Sequence, residues 1–179
     1  MLERFQTEEK GQIDKDALKA ENSAYKDKLA VLGQKIKEAK LPVIIAFEGW
    51  GASGKGYVIG KTIGCLDPRS YLVHSTVGAT AEEKRLPLMS RFWKIIPEKG
   101  KLCILDRSWY QEIVPAAIEQ DLSEEEIVCR LDKANLFERQ LADDGYLIIK
   151  FFLHISQEEQ KHRFKKLLEN EDTSWRVTD

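Results

Sequence analysis

Val43-Ile44-Ile45-Ala46-Phe47 is an uncharged apolar run that breaks at Glu48 into Gly49-Trp50-Gly51-Ala52-Ser53-Gly54-Lys55-Gly56. A short β-branched run closed by glycines reads as a strand buried on both faces. Three glycines and a lysine in this order then read as a phosphate-binding loop that opens a helix. Glycines let successive backbone N–H groups turn inward on phosphate oxygens, the helix adds its positive end, and Lys55 adds a full charge. The spacing fits the Walker A pattern, which makes Gly49, Trp50, Gly51, Ala52, Ser53, Gly54, Lys55 and Gly56 the candidate phosphate and nucleotide contacts. One position departs from that pattern. Gly56 stands where a serine or threonine usually holds Mg²⁺, so a metal has to find its oxygens elsewhere.

The rest of the chain reads as the other units of an open α/β sheet. From Ile13, apolar residues recur in steps of three and four through Leu18, Tyr25, Leu29, Leu32 and Ile36, which predicts an N-terminal helix over 12–40 after a loose polar start. Tyr57, Val58, Ile59, Ile63 and Leu66 continue the loop into a sheet-packing helix, and Asp67-Pro68-Arg69 turns it toward a second strand at Tyr71-Leu72-Val73-His74. Thr80-Ala81-Glu82-Glu83 has capping-box spacing and predicts a helix that runs past Pro87 to Trp93. On it Arg91, next to Phe92 and Trp93, suits stacking or pairing as well as it suits phosphate contact.

Leu102-Cys103-Ile104-Leu105 is a third buried strand, ending in Asp106-Arg107-Ser108-Trp109-Tyr110. Ligands of open parallel sheets gather at the carboxyl ends of strands, so Asp106 is expected to face the loop as a Mg²⁺ partner, with Arg107 in reach of the phosphates. Ser123-Glu124-Glu125-Glu126 starts another helix, and Tyr146 to Leu153 is a fourth, very apolar strand. Ser156-Gln157-Glu158-Glu159 caps a helix carrying Lys161, His162, Arg163, Lys165 and Lys166. A charge run is usually a solvated face, but after a strand of a phosphate-binding sheet it is also where a cationic lid belongs. His154 reads as structural, bonded to backbone.

Composition sets the outer limits. At 179 residues the chain suits one domain with both sheet faces covered. A net charge of −2 argues against a general nucleic-acid binder. Cys65, Cys103 and Cys129 are too scattered for a metal site and read as buried thiols in a reducing compartment. Met1 to Phe5 lacks a signal-peptide core, and no apolar run approaches the roughly 20 residues a bilayer needs. A cytoplasmic protein without membrane, DNA or RNA partners is expected.

Three separated motifs then point one way: Phe47 to Gly56, Asp106 to Tyr110, and Lys150 to Ser156 followed by Glu159-Gln160 and Arg163-Phe164. With Arg91-Phe92-Trp93, Phe137 to Leu141 and Trp175 to Thr178, the chain resembles the family-2 polyphosphate kinases, in particular their polyphosphate:AMP phosphotransferase branch. The resemblance implies an α/β, three-layer P-loop kinase fold: a parallel sheet flanked by helices, with a basic helical lid beginning at 156–179. It implies one more strand and a terminal helix, which this sequence lacks, as a fragment of a longer protein or a naturally shortened chain would. It implies Mg²⁺-dependent phosphoryl transfer between inorganic polyphosphate and AMP, ADP or ATP. Lys55, Asp106, Arg107 and Arg163 would be the catalytic set. Family loops usually carry an aspartate where Gly51 stands, so the metal would rest on Glu48 and Asp106. A silent module of that family, and a nucleoside-triphosphate-dependent kinase, are the other readings. The long first helix and an open sheet edge suit a homo-oligomer.

Overall fold

The computed structural model describes residues 14–119, 122–175 and 177. The polar stretch before Ile13 and the opening residues read for a signal peptide lie outside them. The chain runs α1 (Lys15–Glu38), β1 (Val43–Gly49), α2 (Lys55–Ile63), β2 (Tyr71–Ser75), α3 (Ser90–Trp93), β3 (Leu102–Asp106), α4 (Val114–Glu119), α5 (Glu124–Asp143), β4 (Leu147–Leu153), α6 (Gln157–Leu168) and α7 (Glu171–Ser174). The strands pair in parallel in the order β2-β3-β1-β4. This is the expected α/β fold.

Strand periodicity divides the core into two layers. Ile44 and Ala46 of β1 and Cys103 and Leu105 of β3 point to one face, where Phe92, Trp109, Ala134, Phe137 and Leu141 cover them. Val43, Ile45, Phe47, Leu102 and Ile104 point to the other, against Ile59 and Leu66. Each Val, Leu, Ile or Phe among them, taken fully out of water, contributes about 1.5–3 kcal/mol. β1 and β3 are therefore fixed in register by both faces at once, and their carboxyl ends are held level, with Phe47 beside Asp106.

Three expectations are corrected. The helix foreseen across Pro87 is broken: Thr80 and Glu83 do exchange capping bonds, but only a 3-10 turn over Glu83–Arg85 follows. Leu86 is extended (ψ 160°), as a residue before proline prefers, and helix resumes only at Ser90. The 3-10 turn Trp109–Glu112 and the helix α4 were not foreseen. Among the three free thiols only Cys103 is buried; Cys65 is half-buried and Cys129 exposed. Burial pushes the Cys103 thiol up to about 11, which leaves it inert at neutral pH. Among the described residues no helix is long and apolar enough to cross a membrane.

Candidate active site

β1 ends in glycine because β4 stands too close for anything larger. Gly49 has φ +142°, and a Cβ there would meet the Leu153 carbonyl oxygen at 2.5 Å. The chain then curls back, with Ser53 N–H donating to the Trp50 carbonyl at 3.2 Å. Gly54, at φ +96°, turns it into α2. That helix has no side-chain cap and no acidic residue in its first turn. Its leading N–H groups and positive end are thus left for an anion. The Ser53 hydroxyl is buried and is the one buried side-chain polar atom among the described residues without a hydrogen-bond partner.

Lys55 folds across this loop, its Nζ donating to the carbonyls of Gly49 at 2.8 Å and Trp50 at 3.1 Å. Burial lowers its pKa and the neighbouring Arg107 charge lowers it further, while Asp106 and Glu48 partly offset both. Those four groups therefore share one electrostatic site. Arg107 sits at φ +63°, in the left-handed region that a side chain normally avoids, at a cost of order 1–2 kcal/mol. Its N–H donates to the Phe47 carbonyl (3.0 Å) and its carbonyl accepts from Thr76 Oγ1 (2.8 Å), so the backbone is pinned from both sides. The side chain itself is exposed and lines the cleft.

The two carboxylates differ. Glu48 accepts both the N–H and the hydroxyl of Ser108 on one oxygen, at 2.7 Å each, which ties the end of β1 to the turn after β3. Asp106 accepts no hydrogen bond from the described residues and keeps both oxygens for a ligand. Among the described residues no three His, Cys, Asp or Glu side chains gather to hold a metal by themselves.

Glu48, but not Asp106, lines a cleft of about 560 Å³ whose walls include Lys55, Arg107, Tyr110, Lys150, Trp50 and Phe152. Lys150 and Tyr110 were not among the residues singled out for chemistry. Lys150 Nζ donates to Glu138 Oε2 (2.8 Å) and to the Tyr110 hydroxyl (3.2 Å). Glu138 Oε1 accepts from Tyr110 (2.9 Å) and from the Trp109 indole (3.0 Å). Burial works against the Lys150 ammonium, but Glu138 and Tyr110 outweigh it and hold its pKa above the ordinary value. A visible signal existed: Lys150 is the single charge in an otherwise apolar strand, and such a charge needs a partner.

Arg163 reaches the loop, but from the carbonyl side. Its Nη1 donates to Ala52 O and Ser53 O, both at 3.2 Å, and its Nε pairs with Glu159 at 2.6 Å. Gln160 adds a bond from Nε2 to Gly51 O at 3.0 Å. Phe164 fills the space beside Gly51, so that a Cβ there would lie 2.9 Å from the ring. His154 also departs from expectation: its Nδ1 accepts the Trp50 indole N–H at 2.9 Å instead of bonding to backbone. Arg91 stands apart from the loop. It is nine-tenths buried, bonded to Glu112 (2.8 Å) and the Val77 carbonyl (2.9 Å), with Glu83 at 3.6 Å. It lines a second cavity of about 650 Å³ that shares only Gln111 and Pro115 with the cleft.

The family model described as polyphosphate kinase 2 matches residues 12–179. Over 167 residues the chain is 32% identical to the polyphosphate:AMP phosphotransferase of Pseudomonas aeruginosa, covering 93% of this chain and 34% of that protein. It therefore spans about a third of the length of that curated relative. A crystal structure of a putative polyphosphate kinase 2 from Pseudomonas aeruginosa superposes with a TM-score of 0.90 at 31% identity, covering 99% of this chain and 39% of that one. Polyphosphate kinase 2 from Arthrobacter aurescens superposes with a TM-score of 0.85 at 27% identity, over 89% of this chain and 58% of that one.

Proposed function

The chain belongs to the polyphosphate kinase 2 family, and from that premise we propose that it moves a phosphoryl group between inorganic polyphosphate and a nucleotide, AMP to ADP or ADP to ATP. The observation that carries the reading is the convergence of Lys55, Arg107 and Asp106 on an uncapped helix start beside the unpartnered Ser53 hydroxyl. Phosphoryl transfer asks a protein for positioning and for charge stabilisation more than for a covalent catalyst. In this reading the loop amides from Gly49 to Gly56 and the Ser53 hydroxyl hold phosphate oxygens. Lys55 leaves its carbonyl partners for the transferring group, and Arg107, lining the same cleft, neutralises charge there. Arg163 holds the loop in shape, and α6, at the start of 156–179, is the lid of this single domain. Glu138 is a positioning residue that aims Lys150 and Tyr110 at the cleft.

The donors fit Mg²⁺. Asp106 offers a free carboxylate and Glu48 a second, half-committed one, and this ion is commonly held by one or two carboxylates together with substrate phosphates. Bound by Asp106 and Glu48, it would neutralise charge on non-bridging phosphate oxygens. The reading puts the reaction in the cytoplasm, where its nucleotide acceptors are, and needs no nucleic-acid or membrane partner.

The test is a transfer assay with long-chain polyphosphate and Mg²⁺, offering AMP and ADP separately, with Lys55→Ala as control. New ADP or ATP that disappears in the control supports the proposal, and product from ATP but not from polyphosphate as donor replaces it with an ordinary nucleotide kinase. A second reading, a silent module that binds polyphosphate, rests on Phe164 occupying the place beside Gly51. Folded protein that binds polyphosphate and yields no product selects it.

A further inference from the structure

The first half of α1 carries two neighbouring stripes. Lys15, Lys19, Asn22 and Lys26 recur at steps of four, three and four, which is one face of a helix, and Leu18, Tyr25 and Leu29 run beside them. Both stripes line a groove of about 680 Å³ that α2 completes with Tyr57, Val58 and Lys61. Among the described residues no carboxylate lines it. Asp16 and Asp27 of α1 lie outside the lining, and so does Glu21, which accepts the Tyr25 hydroxyl at 3.1 Å. Exposed cations elsewhere do find carboxylates, as Arg69 does in Asp67, Lys101 in Glu98 and Arg139 in Asp143. Lys15, Lys19, Lys26 and Lys61 pair with none among the described residues. Two tyrosine rings lie under ammonium groups, Tyr57 under Lys61 at 5.2 Å and Tyr25 under Lys28 at 5.3 Å.

We propose that the α1/α2 groove is a second, non-catalytic binding site for inorganic polyphosphate, holding the chain beyond the part that lies in the cleft. The proposal rests on the reading of polyphosphate as the cleft's substrate. A concave surface lined by one sign of charge attracts the opposite sign, and here that sign is negative. Lys15 to Lys26 spans about 17 Å at 1.5 Å per residue, a ladder suited to an extended polyanion and longer than a single phosphate can use. The rungs are lysines, compact point charges without the planar fork of arginine, so they ask for charge and not for one ligand geometry. A single-stranded nucleic acid would also want open aromatic faces on which to stack its bases, and here an ammonium already covers a face of each ring. The position fits as well. Lys55 of the cleft and Tyr57 and Val58 of the groove share the first turn of α2, so one long chain can reach both. Its second contact is then intramolecular and tightens binding without any new group in the cleft.

The test is isothermal titration calorimetry of the full chain with long-chain polyphosphate and with tripolyphosphate, at low and high salt. The groove variant is Lys15→Gln/Lys19→Gln/Lys26→Gln, and a second variant carries Arg at the same three positions. Lys35→Gln/Lys37→Gln/Lys99→Gln removes equal charge outside the groove. All substituted positions are exposed, and melting curves check that each variant is folded. Wild type is expected to bind the long chain at least about tenfold more tightly than tripolyphosphate. The groove variant is expected to lose most of that margin and part of its salt dependence, while its tripolyphosphate affinity stays within about twofold of wild type. The arginine variant and the outside variant should keep the margin. In the transfer assay the groove variant should raise KM about fivefold or more for the long chain alone, with kcat unchanged. Long-chain binding undiminished in the groove variant, or diminished as much in the outside variant, overturns the proposal. Polyuridylic acid that binds more tightly than polyphosphate, and is lost in the same groove variant, replaces it with a nucleic-acid surface. The two readings fail separately. Polyphosphate that binds the groove but donates no phosphoryl group overturns only the proposed function, and transfer from polyphosphate with binding indifferent to the groove variant overturns only the groove.

Discussion

Placing an aspartate at position 51 tests whether the loop and α6 are one packed unit. A Cβ at Gly51 would stand 2.9 Å from Phe164 Cζ and 3.4 Å from Gln160 Nε2, where carbon atoms normally settle at about 3.5–4.0 Å. The ring has to give by well over half an ångström before the carboxylate itself is accommodated, and overpacking of this kind costs about 1–3 kcal/mol. If α6 swings away instead, the bonds from Gln160 to Gly51 O and from Arg163 to Ala52 O and Ser53 O go with it, at about 0.5–1.5 kcal/mol each. The two routes together put Gly51→Asp at about 1–4 kcal/mol of destabilisation, or roughly 2–16 °C in Tm for a chain of this size. In the Phe164→Ala background the obstacle is gone, so the same substitution should cost little. The assay is denaturant unfolding of wild type, both single variants and the double variant, followed by tryptophan fluorescence and circular dichroism. A coupling of at least about 1 kcal/mol is expected, and costs that add within about 0.5 kcal/mol would refute the packing argument. In the transfer assay a new carboxylate beside Glu48 and Asp106 should raise activity only when Phe164→Ala accompanies it.

Arg91→Ala should destabilise the fold by about 3–5 kcal/mol in denaturant unfolding, because it strands Glu112, itself mostly buried, without its cation. The KM for polyphosphate should stay within about twofold; an unchanged stability with a steep rise in KM would mean that Arg91 serves phosphate after all. For Lys55 the sign follows from its lowered pKa. The ammonium form is disfavoured in the folded protein, so that penalty is present below the folded pKa and is relieved as pH rises through it toward the ordinary 10.5. Transfer activity, which needs the cation, should therefore fall on an alkaline limb centred below 10.5. Lys55→Arg, if it retains measurable turnover, should move that limb upward, and an unmoved limb would assign it to another group.

What the sequence showed well was local. The strand Val43–Gly49, the loop and the start of α2 follow from an apolar run meeting glycines and a lysine within a few positions, and the sheet order brings Asp106 beside Phe47 as parallel topology requires. What it hid was partnership across distance. The bond from Trp50 to His154 spans 104 residues, that from Gln160 to Gly51 spans 109, and the Ser108 to Glu48 clamp spans 60. One of these partners is the Gly51 carbonyl, and Arg163 bonds the next two, those of Ala52 and Ser53; every residue has such a group and no motif can mark it. Gly51 shows the consequence. Within the loop alone, a glycine where the resemblance implies an aspartate reads as the loss of an expected metal ligand with no structural reason. Beside α6 it has one: the Phe164 ring and the Gln160 amide already occupy the volume and the polar partner that a side chain at 51 would claim. Gly51 and the packing of α6 are two ends of one contact, so the chemistry of position 51 is decided by a helix that begins more than 100 residues later.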